Sequence, residues 1–264
     1  MTSQTPAFAQ RAASDPRADP SAVREARFRV ADLRMATADV RIVRLAPEDG
    51  RALAFAAGQY ACLGFAGLPC RDYSIASRPD EAELEFHIRD MGSGASTYAV
   101  RSLALGEVVT VRGPLGGAGL RAEHAGPILA IGGGSGLAPM KSIVETALAR
   151  GHAAPVHLYV GARTAADLYM TDRFHALAAR HANFRFVPVI SEPGGPTELR
   201  TGYVGEAAAA DFAGLAGFKA YLAGPPVMVE SAIGHLLARG IDAMDIHADA
   251  FYTETDKVRR AAAR

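Results

Sequence analysis

Two short stretches of the 264-residue chain combine residue types that can hold an anion and a planar ring. The first is Gly132-Gly133-Gly134-Ser135-Gly136, which closes an apolar strand and opens a helix. Glycines let the backbone approach an anion, and a helix start offers unpaired N–H groups, so the bend suits a pyrophosphate. A tight structural turn would use the same residues. G-x-G-x-x-G fails here in every frame, no acid ends the next strand, and no Gly-Lys-Ser/Thr follows, so neither the dehydrogenase fingerprint nor a Walker loop is present. The second stretch is Arg71-Asp72-Tyr73-Ser74. On a strand Arg71 and Tyr73 share one face, with Asp72 and Ser74 on the other. A cation for phosphate beside an aromatic for a flat heterocycle suits a flavin nucleotide, although an ordinary surface arginine beside a half-buried tyrosine reads the same way.

Two more glycine turns, Gly161-Ala162-Arg163 and Ala223-Gly224-Pro225-Pro226, follow apolar runs that read as parallel strands. The carboxyl edge of such a sheet is where ligands bind, so three turns point to one crevice. Other chemistries are disfavoured. Cys62 and Cys70 are the only cysteines and the eight histidines are scattered, so no zinc cluster, iron–sulfur set or other metal site is expected. Electron chemistry would need another carrier. The 28 basic and 28 acidic residues balance, and they balance again on either side of residue 114, which argues against nucleic-acid binding. No window is long and apolar enough to span a bilayer. Residues 1–22, rich in Ala, Ser, Pro and Asp, read as a disordered tail without signal or transit character, and the protein is expected to be soluble and cytoplasmic.

The elements that must position these stretches change character near residue 115. Before it, short alternating runs cover Val40–Leu45, Gln59–Phe65, Asp72–Ala76, Glu83–Arg89 and Val108–Arg112, with one helix over Ser96–Leu103. In Glu83–Arg89 the residues Leu84, Phe86 and Ile88 face one way and Glu85, His87 and Arg89 the other, the period of a half-buried strand. After it, strands Ile128–Ile131, Val156–Val160, Phe184–Ile190, Ala220–Ala223 and Asp245–Ala250 alternate with helices Leu137–Arg150, Ala166–His181 and Val227–Arg239. The expected fold is therefore two-domain: an N-terminal antiparallel β-barrel or sandwich over 23–117, and a C-terminal α/β Rossmann-like parallel sheet over 118–264, a nucleotide-binding architecture.

Together these pieces resemble the ferredoxin–NAD(P) reductase superfamily, in particular bacterial NADH-dependent reductases that serve oxygenases without a ferredoxin domain of their own. Arg71-Asp72-Tyr73-Ser74-Ile75-Ala76-Ser77 looks like the flavin strand and Gly113-Pro114-Leu115-Gly116 like the end of the barrel. Gly132 to Pro139 is similar to the nucleotide loop, and Gly224-Pro225-Pro226-x-Met228 to the nicotinamide-side turn. The resemblance implies that Arg71 holds a flavin phosphate, Tyr73 stacks on the isoalloxazine and Ser74 sits near N5. It also implies that His87, Ile88 and Arg89 border the rest of the nucleotide, and that Gly94 to Ser96 meet its pyrophosphate. Gly133, Gly134, Ser135 and Gly136, with Gly224, Pro225 and Met228, would hold the nicotinamide dinucleotide. Asp249 would orient a proton near the ring and Phe251 would shield it, though a core position accounts for Phe251 equally well. Ala223 stands where relatives usually carry Cys, which implies differently tuned hydride transfer.

The implied cofactors are FAD, with FMN possible, and NADH. Glu192 at the end of the strand reaching Ile190 would repel a 2′-phosphate, while Arg163 is a cation near the same crevice. The implied activity is hydride transfer from NADH to bound flavin, then single electrons to a separate ferredoxin or an oxygenase iron–sulfur centre. Two alternatives stay open: a reductase of free FMN or FAD, and a redox-sensing module that binds both nucleotides without turnover.

Overall fold

The computed structural model describes residues 23–252. The expected tail, 1–22, and the closing segment, 253–264, lie outside the described residues. Strands β1 (Arg24–Met35), β2 (Val40–Pro47), β3 (Tyr60–Gly64), β4 (Arg71–Ser74), β5 (Leu84–Arg89) and β6 (Val108–Leu115) form one antiparallel sheet in the order β4-β3-β6-β1-β2-β5. An isolated bridge between Ile75 and Phe86 brings its two edges together, so the sheet nearly closes into a barrel. Phe28, Val43, Leu45, Leu63, Phe86 and Val111 fill the interior. Helix α1 (Gly94–Arg101) lays Ala95, Ala99 and Val100 against it.

The second sheet is all parallel: β7 (Ile128–Gly133), β8 (Val156–Ala162), β9 (Phe184–Ile190), β10 (Arg200–Thr201), β11 (Lys219–Gly224) and β12 (Ile246–Ala250), in the order β10-β9-β8-β7-β11-β12. Helices α2 (Leu137–Ala149) and α3 (Thr171–Arg180) pack on one face, α4 (Val204–Ala210) and α5 (Pro226–Ala238) on the other. The chain leaves β7 toward one face and β11 toward the other, so the switch point of the sheet lies between these neighbours. Every residue of β7 is buried, as expected for the centre of a parallel sheet covered on both sides.

Three expectations change. The alternation in β5 predicts one wet face, yet Leu84 through Ile88 are all buried, because the second domain covers the outer face. Helix α2 shows the same effect: Leu137, Met140, Val144 and Leu148 are buried as expected, but so are Lys141, Ser142, Glu145 and Thr146, which face the barrel or its surroundings. The continuous helix expected over Ala166–His181 is broken. Thr164 and Asp167 cap each other around a 3₁₀ turn at Ala165–Asp167, Met170 adopts φ 59°, and α3 begins only at Thr171. The break lets Tyr169 turn inward, where it is 6% exposed. Strands β1 and β10 and helix α4 are elements the periodicity did not mark.

Candidate functional site

The glycine turns after β7 and β11 meet at the switch point, and the third, Gly161-Ala162-Arg163, lies beside Gly133 across the β7–β8 ladder. Gly134 (φ +56°) turns the chain from β7 into a 3₁₀ turn and then α2. Gly224 (φ +138°) ends β11, and a Cβ there would lie 2.7 Å from the Gly133 carbonyl oxygen. A Cβ on Gly136 would overlap the Ala223 carbonyl, and one on Gly133 would overlap the Met228 sulfur. Gly136 and Gly224 are thus required by close packing of backbone on backbone, the structural reading of the bend, whereas at Gly133 the Met228 and Pro225 side chains fill the space. Gly134 and Ser135 are the half-buried members. Met228 lies against the bend, and Pro225 starts α5 with no side-chain cap on its N–H groups. Ala223 is fully buried opposite Asp249 of β12. At the far side of the edge, Arg163 and Glu192 are neighbours through a 2.7 Å backbone hydrogen bond from Glu192 N to Arg163 O, and both side chains are exposed.

On the barrel, the exposed Arg71 guanidinium donates to its neighbouring Cys70 carbonyl at 3.0 Å and forms no salt bridge among the described residues. Tyr73 is half-buried and edge-on to Phe65 at 6.3 Å; burial, then Asp72, push its phenol up to about 12 against the opposing Arg71 charge, so it stays neutral. Ser74 is buried opposite Tyr60 in the ladder. Helix α1 opens at Gly94 without a side-chain cap, and Asp90 shapes the loop before it by accepting from Gly92 N, Thr97 Oγ1 and Arg101 Nε. Ser96 Oγ is engaged within that loop, accepting from Met91 N at 3.3 Å. A cation without an acid partner, a half-buried aromatic and an uncapped helix start fit a flavin nucleotide. Ile88, expected on the nucleotide border, is fully buried in the barrel core. The His87 ring, expected on the nucleotide border, is enclosed in the seam against Glu85 and Tyr169. Arg89 is held by Asp39 at 2.7 Å and stands beside the bend: a Cβ on Gly134 would be 3.3 Å from its Nη1.

The two halves share a seam. Lys141 Nζ donates to Ala76 O at 3.0 Å, Ser142 Oγ to Ser77 O at 2.7 Å, and Leu120 N to Ala57 O at 2.8 Å. Val40 and Ala57 of the barrel belong to the same apolar cluster as α2 and α3, and Phe251 packs against it. Phe251 N also donates to Gly224 O at 3.0 Å, tying the chain beyond β12 to the β11 turn. A shallow, solvent-open recess is lined by Tyr60, Gly116 and Asp249, among others. Burial and then the Asp72 charge raise the Asp249 carboxyl to about 6. A proton can therefore move on and off this group near neutrality.

Residues 27–119 match the oxidoreductase FAD-binding domain family, and residues 130–233 the oxidoreductase NAD-binding domain family. The reductase component 2 of terephthalate 1,2-dioxygenase from Comamonas is 31% identical over 252 residues, covering 92% of this chain and 75% of its own. The chain belongs to the ferredoxin–NAD(P) reductase superfamily. The ferredoxin–NAD(P)(+) reductase component of the naphthalene 1,2-dioxygenase/salicylate 5-hydroxylase systems of Ralstonia is 46% identical over 220 residues, 82% of this chain, which spans 66% of that relative's length. The crystal structure of the Amycolatopsis cytochrome P450 reductase superposes with TM-score 0.81 at 37% identity, over 87% of this chain and 70% of the other. As a member of this superfamily the chain carries an oxidoreductase FAD-binding domain and an oxidoreductase NAD-binding domain.

Several residues at the reductase seam carried no signal in the sequence. Lys141, Glu85 and Tyr169 sit in amphipathic segments where a polar residue normally faces solvent. Asp72 and Tyr60 gain meaning only from their closeness to Asp249. Cys62 and Cys70, without a metal role, are joined in a disulfide between β3 and the turn before β4.

Proposed function

We propose that this reductase takes hydride from NADH onto bound FAD, or FMN in its place, and delivers electrons singly to a separate ferredoxin or to the iron–sulfur centre of an oxygenase. The observation that carries the reading is the meeting of the Gly133 and Gly224 turns with the barrel and with Asp249 at one seam. The flavin supplies the exchange between a two-electron donor and a one-electron acceptor; the protein supplies binding and orientation.

In this reading Arg71 and the start of α1, at Gly94 and Ser96, hold the flavin phosphates. Tyr73 lies along the ring, Ser74 hydrogen-bonds near its reactive nitrogen, and Arg89, backed by the buried His87 and Ile88, borders the remainder. Gly133, Gly134, Ser135 and Gly136 receive the dinucleotide phosphates, and Gly224, Pro225 and Met228 bound the nicotinamide. Glu192 excludes a 2′-phosphate beside Arg163. Asp249 holds a proton near the ring, and Phe251 shields it. The relatives' names, dioxygenase and monooxygenase reductase components, supply the class of acceptor. We place the reaction in the cytoplasm; no helix among the described residues is long and apolar enough to cross a membrane.

Gel filtration of the purified protein separates this reading from the free-flavin alternative. Flavin should co-elute with the protein at near one equivalent. A colourless protein whose rate rises in proportion to added flavin would establish the alternative.

A further inference from the structure

A chain of polar side chains, buried from Glu145 inward, runs through the seam and ends on the nucleotide bend. Arg173 of α3 grips Glu145 of α2 with two hydrogen bonds, 2.5 and 2.9 Å. Lys141, one turn earlier and 1% exposed, lies 3.4 Å from Glu145 and 3.3 Å from Glu85 of β5. Glu85 meets His87 Nε2 at 2.9 Å, and His87 Nδ1 meets the Tyr169 hydroxyl at 3.0 Å. That hydroxyl is 3.2 Å from the Gly134 carbonyl oxygen.

Proton accounting shows what the end of the chain does. Burial opposes the Glu85 charge, but His87 and Lys141 outweigh it and hold the carboxyl down at about 2. Glu85 is therefore an acceptor and takes the Nε2 proton of His87. Burial keeps the imidazole neutral, which leaves Nδ1 an acceptor as well. The Tyr169 hydroxyl has one proton and two acceptors, Nδ1 at 3.0 Å and the Gly134 oxygen at 3.2 Å, and stands between them, so that the two share the proton in a three-centre hydrogen bond. The same carbonyl accepts from Leu137 N in the 3₁₀ turn, so donors reach it from both its own turn and the seam. In a trans peptide the N–H points opposite to the C=O, so fixing the Gly134 oxygen on Tyr169 turns the Ser135 N–H away from Tyr169. The turn that delivers Tyr169 contains Met170 at φ 59°, a left-handed conformation unusual for a residue other than glycine.

We propose that Tyr169 is a positioning residue for the dinucleotide: its hydroxyl, steadied by His87 and through it by Glu85 and Lys141, sets the Gly134–Ser135 peptide so that the Ser135 N–H meets a phosphate. The inference rests on the nucleotide reading of the bend and adds the residue that orients it. Because the chain crosses the seam, the barrel itself fixes the geometry of the nucleotide site.

Calorimetric titration of the flavin-loaded protein with NAD⁺ tests it, with anaerobic flavin reduction by NADH as a second readout. Tyr169→Phe should weaken NAD⁺ binding by about fivefold to tenfold, the range for one lost hydrogen bond. The NADH concentration for half-maximal reduction should rise in parallel, the limiting rate should change less, and flavin content should stay at the wild-type level. Wild-type affinity in Tyr169→Phe would overturn the inference, while absence of NAD⁺ binding by the wild type would overturn the nucleotide reading beneath it. Should Tyr169→Phe fail to fold, His87→Leu and His87→Gln decide the matter. Gln keeps a donor for Glu85 and an acceptor for the hydroxyl, so it should bind NAD⁺ nearly as the wild type does while Leu binds weakly; equal affinities in the two would overturn the inference.

Discussion

Glu192 and Asp249 carry the two most exposed commitments at the residue scale. Glu192 stands at the end of β9 beside Arg163, where an adenosine 2′-phosphate would meet a like charge. Such a contact costs about 1 kcal/mol when partly desolvated, so Glu192→Arg should lower the NADH over NADPH preference by about fivefold or more. An unchanged ratio of kcat/KM values would remove Glu192 from nucleotide choice. For Asp249 the carboxyl is raised from 3.8 to about 6, so the folded state binds its proton more tightly than the unfolded chain does. The carboxyl costs nothing below pH 3.8; the cost grows as pH rises toward about 6 and is constant above. Asp249→Asn should therefore unfold at higher urea than the wild type at pH 7.5, by on the order of 2 kcal/mol, with the difference shrinking toward pH 4. A pH-independent difference would show that Asp249 is not held in a desolvated, acid-facing site.

At the scale of elements, α2 shows what a sequence makes legible and what it conceals. Its 3.6-residue period correctly places Leu137, Met140, Val144 and Leu148 in the core. Lys141, Ser142, Glu145 and Thr146 have the composition of a wet face, yet all four are interior, Lys141 and Ser142 because the barrel packs over them and Glu145 because Arg173 of α3 also closes on it. The same cause hides Glu85 and His87 in β5. The expected helix over Ala166–His181 failed for a local reason, the reciprocal cap of Thr164 and Asp167, which stops the turn before Tyr169. Glycine turns after strands were readable because their backbone demands allow few other residues. The burial of Lys141 between Glu85 and Glu145 has a measurable consequence. Lys141→Met removes the cation but leaves Glu145 paired with Arg173, so Glu85 loses its nearest cation and keeps only Arg44, at 4.0 Å. The loss should be about 3–5 kcal/mol in urea unfolding near neutral pH. It should diminish as acid protonates Glu85; a loss below about 1 kcal/mol would mean the seam admits water around these groups.

For the whole molecule, the order of barrel and parallel sheet was legible in the change of pattern near residue 115. The way they dock was not. The contacts that hold the seam are long-range in sequence, as between Lys141 and Ala76 or Leu120 and Ala57. One apolar cluster contains residues of both halves, so the halves should unfold together in a single urea transition with coincident near- and far-ultraviolet signals. Two separated transitions would show that the seam is a weak contact. The central claim is that this seam brings a reduced nicotinamide and a bound flavin into apposition, and anaerobic mixing of the flavin-loaded protein with stoichiometric NADH tests it most directly. The account predicts rapid loss of the flavin's visible absorbance, restored when a ferredoxin or oxygenase acceptor is added. Flavin that stays oxidised in the presence of bound NADH would contradict it.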